Sequence, residues 1–94
     1  MKNLNNLWTQ ALEINRKLSL DTNDEDERLT LIKKHFTETL NLMQTRVEVI
    51  DCYLDAEQQN SILPKLMVQD VEIYLEMLKI HYQVYTFVTE AIQE

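Results

Sequence analysis

Apolar positions recur along the chain at steps of three and four in three blocks, and each block reads as an amphipathic helix. The first runs from about residue 3 to 18. Leu4, Leu7, Trp8, Ala11, Leu12 and Leu18 share one side, and Asn5, Thr9, Glu13 and Arg16 fall elsewhere. The second block, about 23–58, carries Leu29, Ile32, Phe36, Leu40, Met43, Val47, Ile50 and Leu54. Their spacing is close to a coiled-coil seam and spans about 38 Å at about 1.5 Å per residue. A weaker line of Leu31, Leu42, Val49 and Tyr53 flanks it.

The third block, 62–93, opens with Ser61 as an N-cap and Pro64 in the first turn, where no helical hydrogen bond is lost. Its polar positions, Glu72, Glu76, Lys79, Gln83, Thr86 and Glu90, form a narrow stripe about 80° wide. The rest of the circumference is apolar on two sides. One is aliphatic with a phenylalanine: Leu66, Ile73, Met77, Ile80, Val84 and Phe87. The other is tyrosine-rich: Met67, Val71, Tyr74, Leu75, Leu78, Tyr82 and Tyr85. Asp70 and His81 lie on the boundary between the two sides.

Two polar interruptions, "SLDTNDEDE" and "AEQQNSILP", separate the blocks. Thr22 with Glu25, or Asp24 with Glu27, fits a capping box. The acids from Asp24 to Glu27 suit the positive end of a helix dipole. Short connections make neighbouring helices antiparallel. The predicted fold is therefore all-α, one domain over 1–94, an antiparallel three-helix bundle with a short first helix and two long ones.

The inequality of length matters. The short first helix reaches only to about Leu40 of the second. The end built from about Gln44–Glu57 and Pro64–Leu78 is then left with two helices and more apolar side chains than two helices can cover. The reading places a partner-binding groove there, framed by Tyr53, Met67, Val71, Tyr74, Leu75 and Leu78, with Glu72 and Glu76 on an acidic rim.

Composition narrows the function. The chain has no Gly and one Pro, so phosphate-cradling glycine loops are absent. Net charge is −7. Residues 1–50 hold 8 acids and 7 bases, and residues 51–94 hold 8 acids and 2 bases. With no basic patch, direct binding to nucleic acid or to an anionic membrane surface is not expected. Cys52 is the one cysteine, so there is no internal disulfide and no CxxC metal site. No apolar run approaches a membrane span, and no signal-peptide pattern opens the chain. A cytoplasmic location is the expectation.

Catalytic constellations are poorly represented. No Glu-x-x-His pair exists for a di-metal bundle site. His35 lies about five turns from Cys52 in the same helix, and His81 is on another. No catalytic residue, metal or cofactor is therefore assigned. His81 reads as a boundary histidine and Trp8 as a core anchor.

The segments "LWTQALEINRKL", "DTNDEDERLTLIKKHFTETLNLMQTR" and "VQDVEIYLEMLKIHYQVYTFVTEAI" together resemble the flagellar export chaperones of the FliT kind. The resemblance lies in the layout over most of the chain, not in an exact motif, and it transfers no individual residue. It implies a cytoplasmic chaperone that captures an amphipathic helix of a flagellar or type III secretion client, such as a filament-cap subunit. Two alternatives stand beside it: a structural homodimer, and an acidic inhibitor that mimics nucleic acid.

Overall fold

The computed structural model describes residues 2–21, 26–53 and 62–93, with side chains from Leu4 and from Lys65 in the first and third segments. Three helices make up the fold: α1 (Lys2–Leu20), α2 (Glu27–Tyr53) and α3 (Ile62–Gln93). The first is short and the other two are long, as the pattern predicts. The bundle is 52 Å long and 17 Å across.

Cross-helix contacts give the directions. Arg46 of α2 meets Asp70 of α3 at 3.4 Å, and Lys33 sits 5.6 Å from the Tyr85 ring centroid. Residue numbers rise on one helix as they fall on the other, so α2 and α3 are antiparallel. Along α1 the order runs the other way. Thr9, Gln10, Glu13 and Ile14 lie beside Lys79, whereas Lys17 and Asp21 lie beside Tyr82 to Glu90. α1 is therefore parallel to α3, and it packs mainly against α3 rather than α2.

The core is a set of interlocking heptads. Leu4, Ala11 and Leu18 are buried on α1. Leu29, Phe36, Met43 and Ile50 are buried on α2, and Val71, Leu78 and Tyr85 on α3. Each series advances by seven residues. A 3.5-residue repeat keeps the side chains facing their neighbours along nearly straight, slightly supercoiled helices. Val68 and Leu75 complete the α3 contribution, and Leu7, Trp8, Ile32, Leu40 and Val47 pack partly buried at the margins.

The start of α2 differs from the sequence expectation. The helix begins at Glu27, the acid of its first turn, later than the expected start near residue 23. Asp26 is the N-cap. Its Oδ1 accepts from the Arg28 backbone N–H at 2.8 Å, and its carbonyl accepts from Thr30 N–H at 3.1 Å. The Arg28 guanidinium donates back to both Asp26 oxygens, at 3.1 and 2.9 Å. A side chain that satisfies a free N–H in the first turn fixes the helix start behind it. The capping boxes expected at Thr22 and Asp24 fall on residues 22–25, outside the described residues, as does the predicted extension of α2 through residues 54–58.

Lys33 ties the three elements at one end. Its Nζ donates to the Asp21 carbonyl at 2.6 Å, just past the C-terminus of α1, and stands over the Tyr85 ring of α3. A cation there complements the negative end of the α1 dipole and the negative face of the aromatic ring.

Candidate functional site on the outer face of α3

α3 carries two apolar seams, and the bundle can cover only one. α1 and α2 both seat on the tyrosine-rich side. Val71 and Leu78 are fully buried, and Leu75 is nearly so. Met67 and Tyr74 are half-buried against the core. These five residues were expected to line a groove, and the structure places three of them inside the protein and two at its margin. Tyr53, the sixth, is 78% exposed at the end of α2.

The open surface is the opposite side of the same helix. Leu66, Ile73, Met77, Ile80, Val84 and Phe87 are exposed, from 40% at Met77 to 72% at Phe87. At about 100° per residue these six fall within an arc of about 80°, directly opposite Val71, Leu75 and Tyr82. From Leu66 to Phe87 the stripe is about 32 Å long. Glu72 and Glu76, the expected rim residues, are exposed and do border it. They line a shallow depression with Gln69, Ile73, Met77 and Ile80. Both carboxylates thus border the exposed aliphatic side of α3 and not a groove on its tyrosine-rich side.

One signal in the sequence separates the two seams. The buried one, Val68, Val71, Leu75, Leu78, Tyr82, Tyr85 and Thr89, contains no charged residue. The exposed one has Asp70 at its edge, with its carboxylate about half exposed and paired with Arg46. A charge is tolerated at a surface seam and is expensive in a dry core. Tyr82 stays half-buried, and Tyr85 is buried with its ring beneath the Lys33 ammonium.

His81 marks the boundary between core and open face. Its ring is half-buried, and its Nδ1 is enclosed without a hydrogen-bond partner among the described residues. Burial, with a smaller contribution from the nearby His35 of α2, lowers its pKa. Cys52 is exposed at the end of α2. Among the described residues no three His, Cys, Asp or Glu side chains gather in a way that would hold a metal ion. No helix of the described residues is long and apolar enough to cross a membrane.

The total accessible surface is 6581 Å², against about 5,700 Å² for a folded monomer of this mass. Excess surface is expected of a rod, and the exposed apolar stripe of α3 contributes to it. Monomers rarely leave contiguous apolar patches of this length uncovered. Fold and site together define a small helical bundle with one unpaired heptad face. Beyond that class, no family model, no curated protein and no solved structure matches the chain.

Proposed function

We propose that this protein is a non-enzymatic protein-binding module whose working surface is the outer face of α3. One observation carries the reading. Six large apolar side chains at steps of seven, four, three, four and three stand in solvent on one side of a helix whose other side is the core. That spacing is the signature of a helix seam, so the natural occupant is another helix laid along α3. The polar residues beside the seam, Glu72, Glu76, Lys79 and Glu90, supply orientation and association rate more than affinity.

The export-chaperone reading is a specific form of this proposal. In that form a cytoplasmic chaperone holds an amphipathic helix of a flagellar or type III client on α3. The layout that resembles the FliT-like chaperones supports it, and so does the acidic rim, which suits a helix with basic flanks. The docking test uses fluorescence anisotropy with labelled amphipathic peptides of heptad pattern and basic flanks. The wild-type chain should bind them, and Ile80→Glu should abolish that binding while leaving the helicity intact. The reading fails if charge on the α3 face changes neither peptide binding nor self-association.

A further inference from the structure

The exposed seam of α3 reads the same in both directions. With the edge residue Asp70 and, beyond Phe87, Ala91 counted in, the positions from Leu66 to Ala91 follow at steps of 4, 3, 4, 3, 4, 3 and 4, so the spacing is symmetric although the side chains are not. A palindromic seam keeps its register when a copy is laid against it in the opposite direction. We propose that the occupant of this face is a second copy of the chain, seated antiparallel about a two-fold axis between Met77 and Ile80. This rests on the outer face of α3 being the docking surface.

The side chains fit that arrangement. Met77 meets Ile80 of the second copy, and Ile73 meets Val84. The largest side chain, Phe87, meets the smaller Asp70. Asp70 is already paired with Arg46, so the ring of Phe87 packs on a neutralised pair and within reach of a guanidinium.

Direction follows from the same charge. A parallel pairing would stack Asp70 on Asp70 inside an apolar seam, two like charges with no cation between them. The antiparallel pairing moves the two carboxylates about 25 Å apart. Along the polar flank it carries the Glu76–Lys79 pair of each chain toward its symmetry copy, and Glu90 toward Lys65. The net charge of −7 does not oppose this strongly, because exposed charges more than about 8 Å apart are largely screened at physiological salt.

α2 supports the same axis. Arg46 lies opposite Asp70 and Lys33 opposite Tyr85, which puts the middle of α2 beside the middle of the α3 seam. Leu31 and Leu42, exposed at 53% and 54%, lie on opposite sides of that level, about 11 Å and about 5 Å from it. The two-fold axis leaves Leu31 of one copy offset by about 6 Å along the bundle from the level of Leu42 of the other, within reach of long side chains on the α2 flank. Area is adequate. Each exposed seam residue offers on the order of 100 Å², about half of what a large apolar side chain carries. Six of them with the two leucines approach the roughly 800 Å² per partner of a stable interface.

The test is sedimentation equilibrium of the full chain over a dilution series. The expected result is twice the chain mass, falling to one chain mass for Ile80→Glu/Val84→Glu at unchanged helicity. Those positions are exposed, so the double variant should fold. Orientation is read in a Cys52→Ser background. Ile73→Cys and Val84→Cys chains should crosslink to each other when mixed, and neither should crosslink to itself. Self-linking of Ile73→Cys would mean a parallel pair, and a dimer that survives the double glutamate variant would put the interface elsewhere. Either overturns the proposal. A wild-type monomer at all concentrations also overturns it. If that monomer still binds helical peptides through α3, the docking surface stands and only its occupant is wrong.

Discussion

Leu78 and Ile80 sit two residues apart on α3 and should differ sharply when cut to alanine. Leu78 is 0% exposed, within the cluster that includes Phe36, Met43, Val71 and Tyr85. Truncation there removes buried methyl groups and leaves a cavity in a bundle only 17 Å wide. The cost of such changes is about 2–5 kcal/mol. A chain this size holds about 5–14 kcal/mol in all, so the loss is a large fraction. The thermal midpoint should fall by about 8 °C or more. Ile80 is 56% exposed. Less than half of the area removed by truncation is buried, which limits the loss to below about 1 kcal/mol at about 25 cal/mol per Å². Alanine's better helix propensity offsets part of that. Urea denaturation at low protein concentration measures both, because association through the outer face would otherwise add to the apparent stability of the Ile80 chain. Equal costs at the two positions, or a larger cost at Ile80, would mean that α3 turns its other side to the core. The docking surface would then return to the tyrosine-rich side.

Three further outcomes follow from particular contacts. The pKa of His81 lies below its ordinary 6.5 in the folded chain, so unfolding takes up a proton below that pH. Its contribution is full above about pH 6.5 and is lost as pH falls toward the folded value. His81→Leu should flatten the urea midpoint between about pH 7.5 and 5.5, and an unchanged slope would mean that another group sets it. Asp26→Ala should fray the first turn of α2, seen as faster amide exchange at Arg28 and Thr30, with little change near Phe36. Lys33→Met should cost about 1–2 kcal/mol from the lost cation–π contact and hydrogen bond to the Asp21 carbonyl. A neutral result would mean that the α1 terminus is held by packing alone.

The sequence by itself determined the number of helices, their unequal lengths and their class. Those follow from period, from the absence of glycine and from capping chemistry, all of which act within about four residues. α3 was legible to its ends, because Pro64 and the polar stripe bracket it locally. The core of α2 was legible because Leu29, Phe36, Met43 and Ile50 have no rival seam of equal strength on that helix. The start of α2 was less so, since five acids or amides compete for the cap and only the backbone at Asp26 decides among them.

What the tertiary structure alone decided was the rotation of α3. Two seams at the same 3-4 spacing, both rich in large apolar side chains, are equivalent to any argument based on periodicity. The choice is made by what α1 and α2 present to it: two heptad series that need an uninterrupted counterpart, and an Arg46 placed to meet Asp70 at the edge. Asp70 stands at the edge of the packed side, half exposed and paired with Arg46. Burial then falls on Val71, Leu75 and Leu78, and the surface left to bind is the line from Leu66 to Phe87.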